Sequence, residues 1–297
     1  MQFTQLEYFL AVAQELSFTR GAQSLHVVQS AVSAGIKQLE HDLGAELFIR
    51  QGRTIRLAPA GEALLPHAQA IIARTQSARD AVDAVRGVVR GTVELGTLSH
   101  LGTLDMAQVL LQIHREYPEV VIKLRQTVQG TRSSMAAVLD GSLDLALLSV
   151  NETTIPGVEL HQIHAEPMLF VIPEAHRLRG RKRVSLEELA NEQYIDFPVG
   201  WGNRTTVDAA FTSLGLQRSV RTEVSSLGFA LELVQQGLGV AFLPASTVEQ
   251  SSAEGIWSIP VPLQWKIQLA RSTMRTATAA EQVLMETILE QAQAQKP

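Results

Sequence analysis

Residues 17–44 read SFTRGAQSLHVVQSAVSAGIKQLEHDLG. A short helix fits Thr19–Leu25, with Ala22 and Leu25 turned inward. A tight connection follows at His26–Val27–Val28, and a further helix runs from Gln29 or Ser30 to Leu43. Its apolar residues Val32, Ile36, Leu39 and Leu43 recur at helical spacing, and Gly44 stops it as a glycine just beyond a helix does. The opposite face carries Ser30, Ser33, Ala34 and Lys37 at i, i+3, i+4 and i+7, so these side chains share one exposed side. An α-helix fits the major groove of B-DNA and reads base edges with a few side chains. Serine hydroxyls donate and accept, and a lysine reaches a base or a phosphate.

The flanks fit this pair of helices. Residues 4–16 form a helix with Leu6, Phe9, Leu10, Ala13 and Leu16 on one stripe, and Thr4 with Glu7 fits a capping box. Downstream, Leu47–Ile49 and Thr54–Leu57 read as two short strands with a turn at residues 51–53. Helix, short helix, tight turn, helix and basic hairpin make a winged helix-turn-helix pattern. Arg50, Arg53 and Arg56 cluster in that hairpin, and Arg53 is expected to reach the DNA backbone or minor groove.

Pro59 stands where a helix starts, and the helix is expected to run to about Arg86. Leu64, Ala68, Ile71, Thr75, Ala78, Val82 and Val85 alternate spacings of four and three, a heptad seam. Such a helix spans about 40 Å. Its apolar surface is too small to stand alone, so it is expected to pair with a second copy of itself. Leu64, Ala68, Ile71, Ala78 and Val82 are the candidate dimerisation residues.

After Gly87–Gly91 the pattern changes class. Val93–Leu98, Val120–Leu124 and Leu143–Val150 read as strands, with helices at Leu104–Tyr117 and Thr131–Asp140 between them. A second set begins at Met168–Ile172. It continues through a helix at Leu186–Asn191, a strand at Tyr194–Phe197, helices at Thr205–Leu214 and Leu227–Gln236, and a strand at Val240–Pro244. Trp265–Ala270 and Ala279–Gln293, a strand and a helix, could return to the first set. The fold class is therefore α+β and multidomain.

Composition narrows the function. With 45% apolar and 19% charged residues, the 297-residue chain can bury sizeable cores. Cysteine is absent, which excludes disulfides, thiolate metal sites and a cysteine nucleophile. No run of about 18 apolar residues offers a membrane span. Met1–Gln5 has no basic character before Glu7 and Glu15, so no signal peptide is expected and the cytoplasm is the expected location. The net charge of −5 hides an asymmetry: residues 1–90 hold nine Lys/Arg and eight Asp/Glu, a net +1, and the remainder carries −6. There is no G-x-S-x-G elbow, Walker A loop or full G-x-G-x-x-G, so an enzyme is not expected. His161 and His164 lack an evident third ligand for a metal, and no cofactor is expected. A solute-binding transport protein would suit the α/β half but not the first 90 residues.

Residues 17–22, 25–33, 36–40 and 43–50 together resemble the N-terminal signature of LysR-type transcriptional regulators. Leu57–Ala58–Pro59–Ala60–Gly61–Glu62 is similar to that family's entry to its linker helix, and Gly237–Pro244 resembles a weaker C-terminal signature. The resemblance covers essentially the whole chain. It implies a winged helix-turn-helix domain (1–58), a dimerising linker helix (59–90) and an effector domain (91–297). The last would resemble a type 2 periplasmic-binding-protein domain of two α/β lobes, 91–162 plus 265–297 and 163–264. It implies a homodimer through the linker helix and a homotetramer beyond it. The expected partners are double-stranded promoter DNA, which is bent, and a small effector; contact with RNA polymerase is compatible with this role. By the same resemblance, the DNA-binding residues are Thr19, Arg20, Gln29, Ser30, Ser33, Ala34, Lys37, Arg50 and Arg53. Three departures stand out: Ser30 replaces a usual proline, Ala34–Gly35 replaces an arginine and a polar residue, and Ala58 replaces a threonine cap.

The effector is expected between the lobes, where helix N-termini near strand ends favour anions. The candidate residues are Ser99 and His100, Gly130 and Thr131, Gly202, Asn203 and Arg204, and Ser225 and Ser226. Arg204 is the cation among them, suited to pairing a carboxylate. The effector is therefore expected to be a small anion.

Overall fold

The structure, a computed structural model, describes residues 1–51, 54–84, 88–126, 130–251 and 254–294. The chain divides near Gly91 into two compact units. In the first, α1 (Phe3–Glu15), α2 (Phe18–Ser24) and α3 (Gln29–Leu43) precede a hairpin of β1 (Phe48–Gln51) and β2 (Thr54–Leu57), and α4 (Pro59–Ala84) follows. Leu6, Phe9 and Val12 of α1, Val32, Ile36 and Leu39 of α3, and Leu47 and Phe48 of the wing bury one another in a single core.

The first helix starts earlier than its sequence pattern suggests. The Gln5 side chain accepts the Gln2 N–H at 2.6 Å, so Gln2 and Gln5 form the reciprocal cap expected of Thr4 and Glu7. The inward stripe shifts accordingly to Leu6, Phe9 and Val12; Leu10 and Ala13 are only partly buried. Leu16 and Leu43, both expected inward, are exposed. Each stands where the chain turns left-handed out of its helix, at Leu16 itself and at Gly44.

Two backbone features fix how α3 is presented. The α2 helix ends in a Schellman turn: the N–H groups of His26 and Val27 bond the carbonyls of Gln23 and Ala22 at 3.1 and 3.0 Å. That turn holds His26 at φ 56°, a conformation glycine adopts more readily. Gly35 serves a close approach, because a Cβ there would stand 2.6 Å from Cδ2 of Tyr8. The Tyr8 ring of α1 lies on the backbone of α3 in a way that a larger residue forbids, and this accounts for a glycine inside the helix.

The start of α4 is clasped to the wing. Ala58 is buried, its N–H donates to the Leu47 carbonyl at 2.9 Å, and its own carbonyl accepts the Glu62 N–H at 2.9 Å. A Cβ at Gly61 would meet the Leu47 oxygen at 2.2 Å. Backbone contact thus replaces the side-chain cap that alanine cannot supply. The helix continues through Pro66, which removes one main-chain donor.

One residue of the expected heptad seam of α4, Ala68, is taken by the chain's own core, and Leu64 and Ile71, which pack against that core, are only partly buried. Ala78 and Val82 are exposed, Val82 by 59%, and these remain available to a second helix. Val85 lies outside the described residues.

The second unit comprises β3 (Gly91–Thr97), α5 (Met106–Glu116), β4 (Val120–Gln126), α6 (Thr131–Asp140), β5 (Leu145–Leu148), β6 (Val158–Pro173), α7 (Leu186–Leu189) and β7 (Gln193–Asp196). Then come α8 (Gly202–Ser213), β8 (Ser219–Glu223), α9 (Leu227–Gln235), β9 (Ala241–Pro244), α10 (Ala245–Glu249), β10 (Ile256–Ser272) and α11 (Ala279–Ala294). One sheet has the order β4-β3-β5-β10-β6-β9, with β3 and β5 parallel and β10 antiparallel to both neighbours. A parallel pair β7-β8 extends beyond β9 through a bridge between Tyr194 and Val240.

The two long strands β6 and β10 run through both lobes, so the chain crosses between them twice. Their sequence pattern suggests only the apolar ends, Met168–Ile172 and Trp265–Ala270. Polar residues between Glu159 and Glu166 conceal the rest of β6, and Pro260 and Pro262 interrupt the pattern of β10. The exposed strand β8 and the one-turn helix α10 also escape a periodicity reading. Among the described residues no helix is long and apolar enough to cross a membrane.

The strained His26 offers a direct test of the turn before α3. His26→Gly is expected to stabilise the chain by about 1 kcal/mol in urea unfolding. A destabilised variant would mean that the imidazole, and not the left-handed backbone, is what the turn needs.

Candidate DNA-reading face and inter-lobe cleft

The outer side of α3 presents Gln29, Ser30, Ala34 and Lys37 to solvent, with Ser33 half-buried. The Gln29 amide donates to the Ser33 hydroxyl at 2.8 Å, which orders two of the expected base-reading groups before any DNA is met. The acids of α3 are engaged elsewhere. Glu40 accepts the Leu47 N–H at 2.8 Å, tying helix to wing, and Asp42 pairs with the amino terminus at 2.6 Å. That amino terminus and the Gln38 amide hold the Asp42 carboxyl below its usual range. Thr19 is exposed, whereas Arg20 is bound to the Glu15 carboxylate at 3.0 Å and also to the Glu15 carbonyl. Arg50 lies on β1 opposite Ile55. Arg53 lies outside the described residues.

In the second unit, the two lobes enclose a cavity of about 240 Å³. Ser99, His100, Gly130, Thr131, Gly202, Asn203 and Ser225 line it, as the sequence suggests. Ser226 instead caps α9, accepting the Phe229 N–H at 3.3 Å, and lines the wider polar mouth outside the cavity. The sequence reading missed the walls: Phe197 and Trp201, whose rings stack 6.2 Å apart, and Trp265 of β10, which stacks with His100 at 5.3 Å. Phe197 and Trp201 share the connection between β7 and α8 and Trp265 lies on a distant strand, so no local pattern brings the three together.

The lobes touch around this cavity. The Thr131 N–H donates to the Gly200 carbonyl at 3.1 Å and the Asn151 amide to the Thr206 hydroxyl at 3.0 Å. A Cβ at Gly202 would lie 2.1 Å from the Ser149 hydroxyl oxygen, so only glycine lets α8 seat against β5's end. Thr131 therefore spends its main-chain donor across the cleft, and its hydroxyl donates to the Ser149 carbonyl at 3.2 Å.

Arg204 does not face the cavity, contrary to expectation. Helix α8 begins at Gly202, three residues before the expected Thr205, so Arg204 belongs to its first turn and shares a face with Asp208. Its Nε donates to Asp208 at 2.7 Å and its Nη1 to the Phe197 carbonyl at 3.1 Å. Arg218 joins the cluster through Asp208 at 2.8 Å and through Asp196, with its guanidinium 5.1 Å from the Tyr194 ring centre. Burial pushes the Asp196 carboxyl up, against the pull of Arg218. Among the described residues, no lysine or arginine lines the cavity.

A polar relay marks where the strands cross. The Ser246 hydroxyl donates to the buried Glu166 carboxylate at 2.8 Å, and its N–H does so at 2.6 Å. The same hydroxyl lies 2.9 Å from His100 Nε2, which is then the protonated ring nitrogen. His164 Nε2 lies 3.2 Å from Glu166, and its Nδ1 is 3.3 Å from the Thr103 hydroxyl. Burial raises Glu166, but its bonds to His164 and Ser246 outweigh this and hold it below the usual carboxylate range. Burial lowers His100 below its ordinary value, more than Glu166 raises it. His161 is bound to Glu159 at 3.0 Å, so the two histidines serve different carboxylates. Among the described residues no metal-holding cluster occurs.

Residues 86–293 match the LysR substrate binding domain. The chain belongs to the LysR family. Residues 3–62 match the bacterial regulatory helix-turn-helix protein of the lysR family, so this LysR-family chain carries both parts of a transcriptional regulator. It is similar to the HTH-type transcriptional regulator ShiR of Corynebacterium glutamicum, 33% identical over 249 residues, 83% of this chain and 84% of that one. It is likewise similar to the transcriptional dual regulator GltC of Bacillus subtilis, 32% identical over 261 residues, 88% of this chain and 86% of that one. A full-length OxyR variant from Pseudomonas aeruginosa shares the fold at a TM-score of 0.71 and 24% identity, covering 99% of this chain and 95% of that one. Full-length CbnR complexed with its target DNA does so at 0.67 and 22%, covering 99% of each. Both of these relatives are named as transcriptional regulators.

Two outcomes follow from the geometry of this LysR-family cleft. Arg204→Ala is expected to destabilise the second unit by roughly 2 kcal/mol in chemical denaturation, since it strips partners from Asp208 and Phe197. The pH dependence has a definite sign. Folding holds His100 below its ordinary 6.5, so its contribution is present above that value and is lost as pH falls toward the folded one. The urea midpoint should therefore drop as pH falls below 6.5, and less so in His100→Gln.

Proposed function

We propose that this LysR-family regulator binds double-stranded promoter DNA with α3 in the major groove and the wing alongside. In this reading residues 1–58 are the DNA-binding domain, 59–90 the dimerisation helix, and 91–297 the effector domain, with lobes 91–162 plus 265–297 and 163–264. Dimers form along the exposed part of α4, around Ala78 and Val82, and pair into a homotetramer that bends the promoter in the cytoplasm. The structural likeness to CbnR in complex with its target DNA supports the groove-binding part.

The observation that carries the regulatory part is that the walls of one cavity belong to two lobes already in hydrogen-bonded contact, Thr131 to Gly200 and Asn151 to Thr206. A ligand that touches both walls binds one lobe arrangement better than another, and that difference shifts the equilibrium. With Arg204 withdrawn, the effector is a small acceptor-bearing molecule, a carboxylate included. It is held by main-chain donors at the start of α8 and by the faces of Phe197, Trp201 and Trp265.

Anisotropy titration of the full-length protein against a duplex selected from a random pool tests the reading. Lys37→Ala is expected to weaken binding and reduce the salt slope by about one; unchanged affinity and slope remove Lys37 from the interface. Val82→Asp is expected to lower the assembly state in sedimentation while leaving the thermal transition of the DNA-binding unit near wild type, because Val82 lies outside its core. Wild-type assembly in that variant would take this stretch of α4 out of the dimer contact. Thr131→Ala is expected to change the effector response roughly fivefold, through loss of the hydroxyl bond that ties the start of α6 to the Ser149 carbonyl in the cavity wall, with effector-free DNA binding unchanged.

A further inference from the structure

Val28 stands at the leading end of α3 and is at odds with its position. It is the residue before the helix, extended at φ −77° and ψ 141°, and it makes no side-chain cap bond. Its side chain is 68% exposed and belongs to no core cluster. Serine, threonine, aspartate or asparagine at such a position would accept a free N–H of the first turn, as Ser17 does for α2. Valine forgoes that bond and leaves a branched hydrocarbon in water. Among the described residues nothing recovers the loss.

The surroundings say what could. Val28 is followed directly by Gln29 and Ser30, both exposed, and Gln29 is ordered by its bond to Ser33. The first residues of a recognition helix are those that meet base edges. These neighbours supply hydrogen-bonding groups. The one feature of the major groove that hydrogen bonds cannot read is the thymine 5-methyl group, which is met by an apolar side chain. Val28 is also rigid: it is β-branched, and its carbonyl is pinned by the Ala31 N–H at 3.0 Å. A methyl contact made from it therefore loses little freedom.

We infer that Val28 is a specificity-determining residue that packs on a thymine methyl in the promoter. The assignment rests on the proposed docking of α3 in the major groove. It adds a sequence preference that none of the polar residues of α3 provides.

The experiment uses the full-length protein and the duplex it selects from a random pool. Each thymine is replaced in turn by deoxyuridine, which lacks only the methyl group. The wild type is expected to bind about fourfold more weakly when one particular thymine of a half-site is replaced, the loss of one buried methyl-sized group. Val28→Ser should melt at a higher temperature, because serine restores the cap. It should also bind the selected duplex more weakly and be indifferent to deoxyuridine at that one position, while other thymines keep their effect. A serine variant with the wild-type deoxyuridine profile overturns the assignment, as does a wild type indifferent to every replacement or a serine variant that melts lower. If the wild type selects no sequence and Lys37→Ala leaves the salt slope unchanged, the docking of α3 itself fails. If selection and the Lys37 effect hold, only the role of Val28 is at stake.

Discussion

The second unit depends on the antiparallel pairing of β6 with β10, in register from Ile256 opposite Pro173 to Ser272 opposite Val158. Two strands long enough to serve both lobes leave no separate hinge loop; the hinge is the ladder itself. Its register shifts fall between Pro260 and Gln264 and between Ile267 and Gln268, on either side of the point where Trp265 faces Glu166. Because these two residues sit at the crossing, one becomes a wall of the cavity and the other the buried carboxylate that gathers Ser246 and His164. The cleft, its aromatic lining and its polar relay thus share one origin in strand register.

Among the described residues the cavity lining carries no lysine or arginine, and the reason lies in the second lobe. Arginines and carboxylates of the second lobe are used against each other: Asp196, Arg204, Asp208 and Arg218 form one cluster beside Tyr194 and Phe211. A buried carboxylate such as Asp196 demands a cation, and Arg204 is held within reach by the first turn of α8. The cation that looked available to a ligand is committed to the fold. What the cavity keeps is main-chain donors and ring faces, which select by shape and acceptor placement more than by charge.

The first unit is governed by backbone proximity instead. Gly35 admits Tyr8, Gly61 admits the Leu47 carbonyl, and Glu40 holds the Leu47 N–H. Helix α3 is therefore fixed against α1 and the wing by contacts on its inner side, and its outer side is free of structural duty. An exposed residue there that neither caps nor packs, such as Val28, is left to interact with something outside the chain.

Much of this was legible in the residues themselves. Apolar periodicity placed α1 and α3 and their core, and turn-forming residues bounded them, since local sterics and burial act over a few residues. Most of the cavity's helix-end residues were found for the same reason: Thr131 and Ser225 announce themselves by type and by place after strand or turn. Tertiary structure alone decided the rest. Whether Ala68 faces its own core or a second helix depends on where α4 docks, not on the heptad that both would satisfy. Whether Arg204 meets a ligand depended on a helix start three residues from its expected place and on a buried aspartate from another strand. Trp265 and Glu166 became neighbours only through strand pairing between residues about a hundred positions apart, an interaction that no local pattern encodes.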